Sequence, residues 1–352
     1  MKKIKYITIS LILTTLFLIM GTTYGTAAEF KFSVKPIQSS KQIDKTLTYF
    51  DLLLKPKEEE TLQVELENAT DKDVLVDISV NTAKTNGNGV VEYRENDLKS
   101  TENLPVDISE IVTFPKQVTV PKKGKITVDF KVKMPEKNFD GVLAGGIQFR
   151  EHGQELVADK DDKDAVAINN TFSYVLAMII RENQNDVTSN IKLEKAFMKT
   201  EYGRSNTILQ LQNNSTSYLK QMVIDANVYR EGDTEAVASI VKKEMQFAPN
   251  SIMDFRIGMA NKKIDPGKYT VKGTLYGNES SIGEYSYDET NYHYRYNLEY
   301  SFEILPDEAK KINEANVNIE PENSNMFLYI SIVVVLILIV VFLVIFIFYK
   351  KR

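Results

Sequence analysis

The sequence predicts an all-β protein: two tandem immunoglobulin-like β-sandwich domains, closed by one C-terminal transmembrane helix. Three observations predict it. Short stretches alternate apolar and polar residues with a period of two, separated by turn residues every 8–12 positions or about that, which is how sandwich strands read. From Phe30 to Glu182 no helical period is sustained, and residues 188–305 follow the same grammar. The run from Met326 to Tyr349 is almost wholly Ile, Val, Leu and Phe, with no charged residue.

The elements follow in chain order. Met1, Lys2, Lys3 and Lys5 form a basic start, Ile7 to Met20 is apolar, and Thr26-Ala27-Ala28 supplies small residues. That order is the grammar of a cleaved secretory signal, expected over 1–28. The first sandwich is expected over 29–183. Leu62, Val64 and Leu66 alternate with Gln63, Glu65 and Glu67; Val74, Val76, Ile78 and Val80 repeat the period, as do Ile126, Val128, Phe130, Val132 and Met134. Asn86-Gly87-Asn88-Gly89 tolerates positive φ and predicts a hairpin turn before Val90 to Tyr93. Gly141-Val142-Leu143-Ala144-Gly145-Gly146-Ile147 lacks phosphate-loop spacing and reads as a bulge or a close backbone approach.

Asn183 to Val187 is polar and aperiodic, a joint between domains. The second sandwich is expected over 188–305, with alternation at Leu209 and Leu211, at Met222 to Val228, at Met253 to Met259, and after the turn Asp265-Pro266-Gly267. The two units read as distant repeats of one plan, each with an alternating strand that ends in Asn: Asn68 in one, Asn213 and Asn214 in the other. The triplets Asn68-Ala69-Thr70 and Asn214-Ser215-Thr216 read as turn chemistry. Residues 306–325 are charged and polar and are expected to act as a stalk, with a short helix after Pro306. At about 1.5 Å per residue, 326–349 would span roughly 36 Å as a helix, enough to cross a bilayer. Lys350-Lys351-Arg352 then places a short tail, 350–352, on the cytoplasmic side and the rest outside.

Composition narrows the function. The 352 residues carry a net charge of −5, no Cys, two His and no Trp. A mildly acidic ectodomain argues against nucleic acid, and an exported chain without disulfides must rely on ordinary cores, as in a Gram-positive surface protein. His152 and His293 fall in different domains, no nucleophile or zinc motif occurs, and no enzyme activity, cofactor or metal is expected. The acidic stretch Asp159, Asp161, Asp162 and Asp164 misses the calcium-loop pattern at three positions and reads as a solvated loop. Tyr285, Tyr287, Tyr292, Tyr294, Tyr296 and Tyr300 form a local cluster, with Tyr292, Tyr294 and Tyr296 on one strand face. Such a platform is the candidate binding site for a protein or sugar; aromatic packing on a half-buried strand is the competing reading.

The order of several pieces resembles a known family. Phe32 to Pro36, Tyr49-Phe50-Asp51-Leu52, Leu62 to Asn68 and Phe139 to Ile147 resemble the first domain of the WxL-interacting protein family. Leu209 to Asn213, Met245 to Ser251 and Asp265 to Tyr269 resemble its second. The resemblance implies a membrane-anchored surface scaffold that binds peptidoglycan through its first domain and tethers secreted WxL-domain proteins. The alternative it implies is an adhesin whose second sandwich binds host extracellular-matrix proteins. Both place the chain at the cell membrane as a single-pass protein facing the wall. Members often carry Trp in the strand before the C-terminal linker, where Tyr296 to Phe302 has none.

Overall fold

The computed structural model describes residues 31–153, 172–260, 262–317, 332, 334–337 and 339. The expected signal segment 1–28, the acidic stretch Asp159–Asp164, residues 318–325 and the tail 350–352 lie outside the described residues.

The first sandwich faces two sheets across one core. One sheet has β1 (Phe32–Ile37), β3 (Glu59–Asn68), β9 (Lys125–Lys133) and β7 (Val112–Thr113), in the order β1-β3-β9-β7. The other has β2 (Phe50–Leu53), β11 (Ser173–Arg181), β10 (Leu143–Glu151), β4 (Val74–Thr82) and β8 (Gln117–Val120), in the order β2-β11-β10-β4-β8. The period-two patterns set the registers: Leu62 lies opposite Phe130, Val64 opposite Val128 and Leu66 opposite Ile126, all facing inward. The alternate positions face water, where Glu65 pairs with Lys125 at 3.1 Å, a contact worth little at an exposed site. Phe130 and Phe149 meet edge to face between the sheets, centroids 6.0 Å apart. A single turn of helix, α1 (Ile108–Ile111), is capped by the Asp107 side chain and drops Ile108 into the same core.

The second sandwich repeats this wiring. Its smaller sheet runs β12-β13-β16, from β12 (Ile191–Glu201), β13 (Arg204–Asn213) and β16 (Ile252–Gly258). Its larger sheet runs β15-β14-β17-β19-β18, from β14 (Leu219–Arg230), β15 (Ala238–Phe247), β17 (Gly267–Glu279), β18 (Tyr285–Tyr287) and β19 (Thr290–Ile304). Strand for strand, β12-β13-β16 matches β1-β3-β9, and β19-β17-β14-β15 matches β11-β10-β4-β8.

The match extends to one side chain. Asn68, at the end of β3, is buried; its amide donates to the carbonyls of Lys72 and Val120, and its oxygen accepts from the N–H and hydroxyl of Thr70. Asn213, at the end of β13, donates to Ser217 and Ala248 and accepts from the N–H and hydroxyl of Ser215. Each Asn closes the turn leaving its strand and ties it to a carbonyl just ahead of a proline, Pro121 or Pro249. The working triplet of the second unit is therefore Asn213-Asn214-Ser215, one residue earlier than the sequence reading placed it.

At the C-terminal end one expectation is met and altered, and another is overturned. The short helix expected after Pro306 is present as α2 (Pro306–Ala315), but it is docked on the second sandwich. Ala309 and Ile312 enter the second core, the Asn313 amide exchanges two 2.8 Å bonds with the backbone of Ile264, and Thr200 donates to the carbonyl of Ile312. The transmembrane helix expected over 326–349 is overturned: among the described residues no helix is long and apolar enough to cross a membrane. Of that segment, 332, 334–337 and 339 are described and are helical; its other residues lie outside the description.

The two sandwiches are joined by more than the chain that links them. A hairpin of β5 (Lys84–Thr85) and β6 (Val91–Glu92) leaves the first sandwich around the Asn86-Gly87-Asn88-Gly89 turn and lodges against β15 and β16 of the second. The Thr85 hydroxyl, fully buried, accepts from the Ala248 N–H at 2.8 Å and bonds the Ser251 hydroxyl at 3.0 Å. Backbone bonds reinforce the seam: Gln246 N–H to Gly89, Thr101 N–H to Asn250, Ile252 N–H to Lys99 and Val142 N–H to Thr216. Gly89 has φ +73°, and a Cβ there would lie 2.5 Å from the Met245 side chain. Gly141, at φ +84°, lets the chain come so near Thr216 that a Cβ would lie 2.4 Å from its carbonyl oxygen. A small apolar cluster of Ala83, Ala144, Ile179 and Ala248 fills the space between the domains.

Candidate functional site

The six tyrosines singled out by sequence are divided by the structure. On β19 the parity of Tyr292, Tyr294 and Tyr296 is shared by Leu298, Tyr300, Phe302 and Ile304, and this is the side that meets the core. Tyr294, Tyr296 and Tyr300 are half-buried against the second core, and Tyr292 is 5% exposed. Tyr285 is exposed at the edge strand β18. Tyr287 lies over the sheet, its ring 5.2 Å from that of Tyr276, which touches Tyr292 at 5.7 Å. The Tyr287 hydroxyl donates to Asp225 at 3.1 Å; desolvation, with that carboxylate beside it, holds its pKa above the ordinary tyrosine range. Lys243 stands over the Tyr287 ring and pairs with Asp288, so the β18–β19 turn is pinned across the sheet to β15.

Under that turn lies a shallow depression of ≈ 290 Å³, floored by Gly273 and bordered by Asp225, Asn227, Lys272, Thr274, Tyr276 and Tyr287. Amides, hydroxyls and tyrosine rings on a rigid sheet make a polar contact surface of the kind that binds proteins through aromatic anchors and adaptable hydrogen bonds. Sequence alone found Tyr287 here; Tyr276, Asp225 and Asn227 lie on strands whose alternation was assigned to packing.

A larger concavity opens between the sandwiches. It has a volume of ≈ 730 Å³ and adjoins a second space of ≈ 360 Å³, with Val142, Arg181, Tyr218 and Lys220 lining both. One wall is the joint after β11, shaped by the Asp140 carboxylate, which accepts from the side-chain amides of Asn183 and Asn185 at 2.9 and 3.0 Å. Arg181 ends β11 and donates from Nη2 to Asp51 at 2.7 Å, while its Nε is buried without a partner. Opposite, Lys220 is exposed, and its backbone N–H is held by Asn278. The hydroxyls of Tyr93 and Tyr218 meet at 3.1 Å across the domain boundary, and burial raises both pKa values, that of Tyr218 strongly. His293 and Tyr294 complete the rim, so one of the six predicted tyrosines reaches this cleft. Arg181, Lys220 and Tyr218 carry no local sequence signal: each stands at a strand end or bulge, and only the seam brings them together. Among the described residues, no group of His, Cys, Asp or Glu is arranged to hold a metal ion.

Comparison with known proteins matches both halves of the chain. Residues 32–151 match the WxL Interacting Protein peptidoglycan binding domain, and 163–314 match the WxL Interacting Protein host binding domain. The second match begins ahead of β11, a strand that the fold places in the first sandwich. No curated protein matches the chain. Among solved structures, a chaperone–tip adhesin complex of CFA/I fimbriae is 13% identical, covering 70% of this chain and 93% of its own, with a TM-score of 0.28. The CupB2 chaperone of Pseudomonas aeruginosa is 13% identical over 70% and 95%, TM-score 0.25. The Salmonella enterica SafA pilin with the SafB chaperone is 8% identical over 77% and 97%, TM-score 0.28.

Proposed function

The chain belongs to the WxL Interacting Protein family, and from that premise we propose that it is a scaffold of the outer cell surface, holding wall, partner and host without transforming any of them. Its peptidoglycan-binding and host-binding domains give it a cell-surface binding role. The finer reading is that the first sandwich holds the wall while the assembly retains secreted WxL-domain proteins. Host matrix proteins are the proposed ligands of the second sandwich, at the tyrosine-bordered depression over β14 and β17. The observation that carries this reading is the order of the two family matches, the first within the first sandwich and the second spanning β11 and the whole second sandwich.

The physical logic is multivalency. A chain that grips the wall through one domain raises the effective concentration of whatever its other surfaces hold, so no single site has to be tight. The test is retention of the purified full-length protein on isolated Gram-positive sacculi and on immobilised WxL domains. Retention on both is expected; retention on neither sinks the reading. For the host-directed surface, Tyr276→Ala is expected to weaken binding to matrix proteins and leave sacculus retention unchanged. Release of labelled fragments from peptidoglycan by the pure protein would make it an enzyme instead.

A further inference from the structure

The cleft between the sandwiches has no part in the reading above, and it has the properties of a built site. Both walls are fixed. The joint is clamped by Asp140, and the Gly141–Thr216 approach and the Thr85–Ala248 bond hold the two domains at one separation. The cleft therefore costs a ligand little ordering of the protein. At ≈ 730 Å³ with an adjoining ≈ 360 Å³, it falls within or near the roughly 300–1,000 Å³ usual for ligand sites, and it lies at a domain boundary where such sites concentrate.

Its lining selects a polar ligand. The side chains of Asn183, Asn185, Asn278, Thr216 and Ser217 line it with amides and hydroxyls, polar groups of the kind that meet a peptide backbone. Two cations converge where the two spaces meet. Arg181 spends Nη2 on Asp51 and keeps a buried, unpartnered Nε–H; Lys220 projects from the facing domain. The Nε–H is closed off from the cleft, but the Arg181 side chain is 27% exposed, and a carboxylate is the ligand group whose geometry suits a guanidinium. Asp51 and Asp186 in the lining disfavour a ligand carrying many negative charges and leave room for one.

We propose that this cleft seats a carboxylate-bearing peptide of the wall polymer, with Lys220 and Arg181 taking the carboxylate and the amide-rich joint taking the peptide backbone. This rests on the wall-binding reading and adds to it a ligand, the peptide part of peptidoglycan and not its glycan, and a place, the boundary and not the first sandwich alone.

The experiment titrates full-length protein with three probes: a soluble disaccharide-peptide released from peptidoglycan, the same fragment with its carboxylates amidated, and glycan chains stripped of peptide. Intact fragment is expected to bind. Amidation, Lys220→Gln and Arg181→Gln are each expected to weaken it about tenfold or more, the loss of one charge-assisted hydrogen bond. Lys220→Gln lies at an exposed position, so its loss of binding is not a loss of fold; Arg181→Lys, which keeps charge but not the fork, is expected to fall between. Equal binding of amidated fragment, of bare glycan or by the Lys220→Gln variant would overturn the proposal. Full sacculus retention with no binding of the soluble peptide fragment would overturn it too while leaving wall binding in place, whereas loss of sacculus retention by the wild-type chain defeats the earlier reading.

Discussion

Asn68 and Asn213 bear on the fold out of proportion to their size. Each is a buried polar side chain with every hydrogen-bonding atom engaged, and each joins a strand end, its own turn and a distant strand. Removing the amide takes a donor from the buried Val120 or Ala248 carbonyl and the acceptor from the turn N–H and hydroxyl of Thr70 or Ser215. Asn68→Ala is therefore expected to lower unfolding free energy by about 2–4 kcal/mol, with Asn213→Ala of similar size, measured by urea denaturation. A loss under about 0.5 kcal/mol would show that water replaces the amide at no cost. The sequence carried this signal in part. Asn68 continues the parity of Leu62, Val64 and Leu66, and Asn213 that of Leu209 and Leu211, so both were bound to face inward. Reading the second triplet from Asn214 ignored that parity and looked only at turn composition, which does not distinguish neighbouring residues.

At the scale of elements, the strands were legible because each has one face on a core and one on water, and β3, β4, β9 and β16 follow that alternation residue by residue. Where packing reached beyond one strand, the alternation said less. The tyrosine stretch offered both a platform and half-buried packing; Tyr294, Tyr296 and Tyr300 pack against the second core on the side of Leu298 and Ile304, while Tyr287 borders the depression over the sheet. Helix α2 looked like a charged stalk because Asp307, Glu308, Lys310 and Lys311 dominate its composition; Ala309 and Ile312, three apart on one face, are the only trace of docking. Ile312→Ala is expected to cost about 2–5 kcal/mol, and Lys310→Ala, on the solvent side, to stay within about 0.5 kcal/mol, both by thermal denaturation. Equal effects would mean that the helix is not anchored on the sandwich. The candidate cleft was still less legible: Arg181 and Lys220 sit on different sandwiches, and nothing local announces a pairing made by a seam whose Thr85–Ala248 bond joins residues 163 apart in the chain.

For the whole molecule, the seam decides whether two domains behave as two. Gly89 tests it. In Gly89→Val the new side chain meets both a left-handed backbone and the Met245 side chain. The variant is expected to split a single calorimetric transition into two, as each sandwich unfolds on its own. Gly153→Ala is the control: it shares the positive φ but has nothing within 4 Å of its Cβ, so it is expected to shift the transition without dividing it. Two transitions already present in the wild-type chain would show that the seam is too weak to couple the domains.

The lodged hairpin also bears on how the protein meets force. A surface molecule gripped by the wall at one end and by a host or partner at the other is pulled along its length. Among the described residues, hydrogen bonds from β5, the 86–89 turn and the 99–101 strip tie the two sandwiches beside the chain that links them, so tension crossing the boundary meets them as well as the covalent joint. Bonds from separate stretches of chain share that load, so the joint is built to hold as a unit and to fail as one.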